Sequence, residues 1–259
     1  MNTLSFYKYQ GTGNDFVLVD DRQNQLHLTQ EQIAQICHRR FGIGADGFIL
    51  LRSHEAYDFE MVYYNSDGRT SSMCGNGGRC IARFAADLGV PGNRYRFLAI
   101  DGAHEAEVGP ATVSLKMQDV AQVSPVKGDW YLDTGSPHYV AFADAPEELE
   151  ILSAARAIRN SPPYQQEGVN VNFIALRENG LYMRTYERGV EDETYSCGTG
   201  VTAAALVAHT AQSGLTQPIQ VSTKGGQLSV SFEEGPKGFS NIWLRGPAEF
   251  VFKGTYRHD

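Results

Sequence analysis

The sequence lacks an apolar run of membrane-spanning length, and its first thirty residues carry no basic segment followed by an apolar one. Both absences argue against a membrane protein and against a secreted one. Positive charge is also in short supply, because 22 Lys and Arg stand against 30 Asp and Glu, a formal net charge of −8. Nucleic-acid-binding proteins normally present a basic face. We therefore predict a cytoplasmic protein that binds neither a membrane nor nucleic acid.

Cysteine is scarce as well, with four in 259 residues. Four cysteines do not make a disulfide framework in a chain of this length, and a reducing compartment keeps them as thiols. Cys74 and Cys80 are too far apart for a Cys-x-x-Cys pair, and no paired histidines accompany them, so we predict no metal site. Cys37 lies beside Ile33 and Ile36 in a predicted helix and is interpreted as a core residue.

Two of the cysteines stand in the same local pattern, one in each half of the chain. Cys74 and Cys197 are each followed by Gly-x-Gly and then by an apolar run, at 81–88 and 201–211, that predicts a helix. A helix N-terminus offers unpaired N–H groups and the positive end of the dipole, so a thiol there ionises more easily. A lone cysteine is more often a buried hydrophobe, and a phosphate-binding loop would continue to Gly-Lys-Ser/Thr. Because the pattern repeats, we interpret the pair as one functional thiol from each half of a duplicated structure.

Alternating apolar residues and turn signals predict strands on both sides of each cysteine helix. The hydrophobic content of 42% supplies enough material for packed cores, and the length allows one large domain or two of ordinary size. The first half is predicted to hold strands at 4–9, 16–19, 48–51, 59–64, 97–100, 104–108 and 113–117, with a further helix at 29–41 opened by a capping box. The second half is predicted to hold strands at 130–133, 139–142, 173–176, 182–186, 219–222, 228–232, 242–244 and 249–252, with a further helix at 146–158.

The order strands, cysteine helix, strands therefore occurs twice. The segment 201–208 is apolar nearly all round, and such a helix must be enclosed rather than lie on one face of a sheet. We predict an α+β fold of two pseudo-symmetric domains, each a mostly antiparallel, barrel-like sheet wrapped around a central helix. The domains are predicted at 1–120 and 121–248, with the option that the last strand, about 249–259, packs back on the first. The active site is expected in the cleft between the domains, a common place for small-molecule sites.

Two tuned thiols suit a reaction that inverts the configuration of a carbon. Inversion needs a base and an acid on opposite sides of the carbon, and they exchange roles in the reverse reaction. The two cysteines would be coupled, so that one rests as thiolate and the other as thiol. The N–H groups after each cysteine could bind a neighbouring carboxylate and stabilise the carbanion. The pattern indicates a racemase or epimerase without a metal. A redox sensor that closes a Cys74–Cys197 disulfide is the alternative from another class. A pyridoxal-phosphate racemase is weaker, since none of the six lysines stands in a cofactor motif.

Five motifs together resemble the diaminopimelate epimerase family. They are Gly-Asn-Asp-Phe at 13–16, Asn-Ser-Asp-Gly at 65–68, the cysteine motifs at 74–80 and 197–200, and Tyr-Glu-Arg-Gly at 186–189. The resemblance runs from Tyr9 to the last strand. It implies a cofactor-independent enzyme, usually a homodimer, that interconverts LL- and meso-2,6-diaminopimelate on the bacterial route to lysine and peptidoglycan.

The resemblance also implies roles for individual residues. Cys74 and Cys197 match the base and the acid, and His138 matches a histidine thought to assist the thiols. Glu187 and Arg188 match a pair that meets the distal end of the substrate and the surroundings of the reacting centre, and Glu187 is counted with the catalytic residues too. The full substrate-binding set that the resemblance implies is Asn14, Asn65, Gly75, Asn76, Asn170, Glu187, Arg188, Gly198 and Thr199.

Two positions depart from the family pattern. Gly47 stands where the family often has Gln, and Ser136 stands where it often has Asn. A contact to the distal amino acid group of the substrate is therefore expected to be lost, shortened or replaced by water. The proline racemase branch shares the paired cysteines but resembles Cys-Gly-His-Gly at the first site, and Asn76 argues against it.

Overall fold

The computed structural model describes residues 2–212 and 215–258, and these fall into two compact units. The first unit runs to Leu115 and takes in the chain again from Pro247, and the second unit is Lys116–Gly246. No helix in the described ranges is long and apolar enough to cross a membrane. The domain limits predicted from the sequence stay a prediction.

The first unit is one sheet whose strands follow the chain order, with the last strand of the described residues added at one edge. The strands pair in the order β17-β1-β2-β3-β4-β5-β6-β7, and only the β2–β3 and β4–β5 pairs are parallel. These strands are β1 Asn2–Gly11, β2 Asn14–Asp20, β3 Gly47–Arg52, β4 Phe59–Asn65, β5 Arg94–Ala99, β6 Gly102–Val108, β7 Val113–Lys116 and β17 Glu249–His258.

The second unit repeats the same topology. Its strands pair in the order β8-β9-β10-β11-β12-β14-β15-β16, again with two parallel pairs, β10–β11 and β12–β14. The short β13 pairs with β12 as well. These strands are β8 Ser124–Val126, β9 Asp129–Asp133, β10 Pro137–Phe142, β11 Asn170–Arg177, β12 Gly180–Glu187, β13 Asp192–Thr194, β14 Ile219–Thr223, β15 Gly226–Gly235 and β16 Gly238–Gly246.

Each unit encloses one long helix that begins directly after its cysteine. Helix α2, Gly75–Asp87, packs on β1, β2, β3, β6 and β17, and helix α4, Gly198–Ala211, packs on β10, β11, β12, β14, β15 and β16. Every residue of α4 from Gly200 to Ala208 is buried, which explains why its apolar residues surround the helix. The predicted α+β fold, a sheet-rich unit around a central helix occurring twice, is confirmed.

The two remaining helices lie outside the sheets. The prediction from the sequence was wrong at the C-terminal end of the first and at the N-terminal end of the second. Helix α1 is Gln30–Cys37 and opens with the predicted capping box of Thr29 and Gln32, but it does not continue to residue 41. The His38 ring Nδ1 accepts from the N–H groups of Arg40 and Phe41, both at 3.1 Å, so these donors turn away from the helix. Cys37 is buried in the core beneath α1, as predicted.

The predicted helix 146–158 is broken near its start. A short 3-10 turn spans Pro146–Glu148, and helix α3, Ile151–Arg159, begins after it. The Arg184 guanidinium donates to the carbonyls of Pro146 at 2.7 Å and Leu149 at 2.8 Å. The Pro146 carbonyl also accepts from the Leu149 N–H at 3.2 Å, which is the bond of the 3-10 turn, and the extended backbone of Leu149 (φ −72°, ψ 133°) separates this turn from α3. Glu147 and Glu148 therefore lie in the 3-10 turn and not in α3.

Candidate active site

Cys74 is the N-cap of α2, and its sulfur accepts a hydrogen bond from the Gly77 N–H at 3.2 Å. The glycines that follow make this approach possible. A Cβ on Gly77 would lie 3.1 Å from the Cys74 sulfur, and one on Gly78 would lie 2.7 Å from the sulfur of Met73. A thiolate at Cys74 is thus stabilised by a backbone donor and by the positive end of the helix.

Asn76 and Asn14 are brought together beside the first cysteine. The buried Asn76 donates to the Asn14 side-chain oxygen at 3.3 Å, and Asn14 donates to Asp46 at 2.5 Å. The β1–β2 turn that carries Asn14 needs positive φ at Thr12 (50°) and Gly13 (88°). Two predicted substrate-binding amides therefore share one polar surface of the first unit.

Asn65 and Gly47 form a ladder pair where β4 ends and β3 begins. Asn65 is exposed and closes the predicted turn by accepting from the Gly68 N–H at 2.9 Å. A Cβ on Gly47 would lie 2.5 Å from the Tyr63 ring. The absence of a side chain at position 47 is thus matched by an aromatic ring that occupies the space.

Cys197 is the N-cap of α4 and is buried, with its sulfur 3.3 Å from the Thr199 hydroxyl. The same hydroxyl lies 2.9 Å from Nε2 of His138. Three residues predicted from the sequence thus form one hydrogen-bonded chain. Burial, and after it the charge of Arg188, lowers the pKa of His138 to about 3, so the imidazole is neutral near pH 7.

The hydrogen-bonded chain of Cys197, Thr199 and His138 continues to a residue that was not predicted from the sequence. Asn172 lies in the middle of β11, fully buried, and its amide nitrogen is 3.0 Å from Nδ1 of His138. Its signal was present in the sequence, because a second Asn follows Asn170 in an otherwise apolar strand. A buried amide must find partners, and here the partners lead to a cysteine.

Asn170 and Arg188 form a second cluster with Ser136. The Asn170 amide donates to the Ser136 hydroxyl at 2.9 Å and accepts from the Arg188 backbone N–H at 2.9 Å. The Arg188 guanidinium donates to the Glu167 carbonyl at 3.1 Å and to the Ser136 hydroxyl at 3.3 Å. Glu187, the last residue of β12, is half-buried next to this cluster.

A cavity of about 660 Å³ opens beside this cluster. Ser136 and Arg188 line it, together with the rings of Tyr131 and Tyr164. Aromatic walls with a few polar groups are typical of small-molecule sites. Across the part of the chain that the structure describes, no group of three or more His, Cys, Asp or Glu side chains is arranged to hold a metal ion.

The sequence matches the family model described as diaminopimelate epimerase over residues 6–122 and 130–251. The diaminopimelate epimerase of Flavobacterium psychrophilum is 46% identical over 258 residues, which cover 97% of this chain and 100% of that protein. That of Chlorobaculum tepidum is 42% identical over 255 residues, covering 95% and 98%.

Solved structures with the same fold are far more distant in sequence. A phenazine biosynthesis protein of the PhzF family from Bacillus anthracis superposes with a TM-score of 0.78 at 14% identity, covering 100% of both chains. A hydroxyproline epimerase from Agrobacterium vitis superposes with a TM-score of 0.63 at 12% identity, covering 99% of this chain and 91% of that one. At these identities the likeness concerns the fold alone.

Proposed function

Since the chain belongs to the diaminopimelate epimerase family, we propose that it is an isomerase that interconverts LL- and meso-2,6-diaminopimelate. The observation that carries the mechanism is the placement of two cysteines. Cys74 and Cys197 are the N-caps of α2 and α4, the central helices of two units with the same strand order. Equivalent thiols in a duplicated topology suit a reaction in which one thiolate takes a proton and one thiol gives one.

The proposed reaction exchanges the proton on one α-carbon of the substrate. The thiolate removes this proton and becomes a thiol, while the other cysteine returns its own proton and becomes the thiolate. The reverse reaction uses the same groups with their roles exchanged. The Gly77 N–H at Cys74 and the Thr199 hydroxyl at Cys197 are the donors that support the thiolate in each state.

The helix N-termini serve the substrate as well as the sulfurs. We assign the backbone N–H groups of Gly75 and Asn76, and of Gly198 and Thr199, to the carboxylate beside the reacting carbon. The first N–H groups of a helix have no intrahelical acceptor and favour an anion. They would also stabilise the negative charge that develops when the α-proton leaves.

The other end of the substrate carries a second amino acid group, and the remaining polar residues suit it. A guanidinium has five N–H donors, and the Arg188 contacts to Glu167 and Ser136 leave donors for a carboxylate. The side chains assigned to this substrate, with Arg188, are Asn14, Asn65, Asn170 and Glu187. Because Ser136 is shorter than the Asn frequent in the family, we expect it to meet the substrate through water.

We place the enzyme in the cytoplasm, on the bacterial route to lysine and peptidoglycan, and as a homodimer. Supporting a dimer, Phe250 and Phe252 on β17 are 50% and 44% exposed, and Val251 between them is 52% exposed. Exposed apolar side chains in a row are common at interfaces between subunits. Light scattering on the protein as it elutes from a size-exclusion column should give twice the mass of one chain. A monomer mass at micromolar concentration would contradict the dimer.

The test of the reaction is α-proton exchange in deuterated water, followed by NMR on LL-diaminopimelate. The parent protein should exchange the α-proton and produce the meso isomer without any added cofactor. Cys74→Ala and Cys197→Ala should each lose epimerisation by at least about a thousandfold, because each lacks one proton carrier.

Cys37→Ala is the matched control, since it removes a buried thiol from α1, away from both central helices. It should keep parental turnover. Exchange of proline in place of diaminopimelate would contradict the substrate, and full activity in either Cys74→Ala or Cys197→Ala would contradict the two-thiol mechanism.

A further inference from the structure

The Asn172 side chain contacts His138 through a hydrogen bond. Its nitrogen lies 3.0 Å from Nδ1 of His138 and 3.1 Å from the Tyr139 carbonyl oxygen, and its oxygen accepts from the Thr185 hydroxyl at 2.9 Å. Asn172 is fully buried, so these three neighbours satisfy it without water.

The Tyr139 carbonyl fixes which way the amide faces. A carbonyl oxygen can only accept, so the Asn172 nitrogen, which carries two hydrogens, must face it. The second hydrogen of that nitrogen then points at Nδ1 of His138. The Asn172 oxygen is left to the Thr185 hydroxyl, which donates to it.

The direction of the amide decides the tautomer of the imidazole. Nδ1 of His138 accepts from Asn172, so the hydrogen of the neutral ring is on Nε2. Nε2–H donates to the Thr199 hydroxyl oxygen at 2.9 Å. The hydroxyl, whose oxygen is engaged as an acceptor, directs its own hydrogen to the Cys197 sulfur at 3.3 Å.

We propose that Asn172 is a positioning residue which, through the tautomer of His138 and the hydroxyl of Thr199, favours the thiolate of Cys197. Each donor in this chain keeps its own hydrogen, and only Cys197 exchanges a proton with the substrate. The proposal rests on the proposed function for what Cys197 does in turnover, but the hydrogen-bond direction can be measured without substrate.

The first measurement uses the parent protein with ¹⁵N-labelled histidine. The shifts of the two ring nitrogens report which one carries hydrogen, and the His138 signal is assigned as the one absent from His138→Gln. We expect the Nε2–H tautomer, unchanged between pH 6 and pH 8. An Nδ1–H tautomer in the parent would overturn the proposal, because the Thr199 hydroxyl would then donate to His138 instead of Cys197.

The second measurement is the alkylation rate of Cys197 by iodoacetamide at pH 7, read by peptide mass spectrometry. Asn172→Leu removes the amide from a site of similar volume and should slow alkylation of Cys197 by at least about fivefold, since a hydrogen bond to the charged sulfur is weakened. Thr185→Val removes only the hydroxyl that donates to Asn172, so it should slow the alkylation of Cys197 less. Thr185→Ser keeps that hydroxyl and should alkylate at the parental rate.

Two controls separate this effect from loss of folding. Thr210→Val removes a hydroxyl of α4 that donates to the Leu206 carbonyl, and it should leave the Cys197 rate unchanged. Cys74 in the same digests should react no more slowly than in the parent. A parental Cys197 rate in both Asn172→Leu and Thr185→Val would overturn the proposal.

Neither measurement depends on diaminopimelate. If the tautomer and the alkylation rates are as expected but the α-proton of diaminopimelate does not exchange, the proposed function fails while the role of Asn172 stands. If the parent epimerises diaminopimelate, Asn172→Leu should lower kcat by at least about fivefold with KM nearly unchanged. Parental kcat in that variant would overturn the role of Asn172 and leave the proposed function intact.

Discussion

Arg79 carries a positive charge that is completely buried in the first unit. Its guanidinium donates to four neutral oxygens, those of the Asn76 side chain at 2.9 Å, the Thr12 hydroxyl at 3.1 Å and the carbonyls of Gly75 at 3.2 Å and Pro247 at 3.3 Å. Within the described residues no carboxylate pairs with it. Burial lowers the pKa of Arg79 to about 10, and negative charge on the sulfurs of Cys80 and Cys74 acts in the opposite direction. The same attraction favours a thiolate at Cys74.

Arg79→Met should therefore slow the alkylation of Cys74 at pH 7 by at least about threefold, because the cation that favours its thiolate is gone. Arg79→Lys keeps the charge and should retain most of the rate, although the lost hydrogen bonds should lower Tm in both variants. Peptide mass spectrometry gives the rates. Equal Cys74 rates in the parent and in Arg79→Met, with a folded protein, would show that the cation has only a structural role.

Gly200 is the residue whose size matters most to the second cysteine helix. A Cβ there would lie 2.6 Å from the Asn172 side-chain oxygen and 3.3 Å from the His138 ring. Alanine is the better helix former by about 1 kcal/mol, so propensity alone predicts that Gly200→Ala stabilises the protein. We expect the clash to win, with a lower Tm and a fall in epimerase activity of at least about tenfold.

The control is Gly235→Ala, at a position where a Cβ would meet nothing within 4 Å. It should change neither Tm nor activity. A Tm for Gly200→Ala above that of the parent would show that Asn172 and His138 can move aside.

At the scale of elements, Arg184 fixes the 3-10 turn and the start of α3 to the sheet. It pairs with Glu193 at 2.6 Å on β13 while donating to the carbonyls of the 3-10 turn, and its side chain is only 8% exposed. Arg184→Met should lower the free energy of unfolding by about 3 kcal/mol, because Glu193 and the carbonyls lose a buried donor. Urea unfolding measures it. Arg177→Met, which removes an exposed ion pair to Glu147, should cost less than about 1 kcal/mol.

The sequence predicted the elements whose signals are local. The capping box at Thr29, the neighbouring strands predicted at 173–176 and 182–186 and the helices that begin after the two cysteines depend on residues a few positions apart, and the structure has all of them. The end of α1 also depends on local contacts, those of the His38 ring with the N–H groups of Arg40 and Phe41, and the prediction missed them. The start of α3 could not be predicted in the same way, because Arg184, which binds the Pro146 and Leu149 carbonyls, comes from a strand more than thirty residues downstream.

Within the candidate site the same distinction holds. The resemblance named His138 and Thr199, and the structure joins them to Cys197. It did not name Asn172, because the meaning of that residue depends on β10 lying parallel to β11, which pairs Val140 with Asn172 and places His138 within reach. A polar residue in an apolar strand was visible in the sequence, but its partner was not.

At the scale of the whole molecule, the carboxylate of Asp15 in the first unit makes the free energy of unfolding depend on pH. Burial raises the pKa of Asp15, but hydrogen bonds from Arg39 and Lys8 outweigh it and bring the pKa to about 2. A carboxylate with a depressed pKa contributes stability that is present above its unfolded pKa of about 4 and is lost as pH falls through the folded value. We expect the free energy of unfolding to decline between about pH 4 and pH 2. Asp15→Asn, compared by urea titration at both ends of this window, should show a shallower decline, and an equal slope would exclude Asp15 as a cause.

The pairing of β17 with β1 has a consequence for the order in which the protein is made. The ribosome synthesises the second unit, Lys116–Gly246, in one piece, whereas the first unit is completed only by residues that are translated after the second unit. Until Pro247 and β17 leave the exit tunnel, the sheet around α2 lacks one edge, and the buried Arg79 lacks one acceptor. The first unit, which carries Cys74, thus stays incomplete while the second unit is translated, and its sheet is completed only after β17 has been synthesised. The unit whose residues are translated first therefore completes its fold after the second unit has been synthesised.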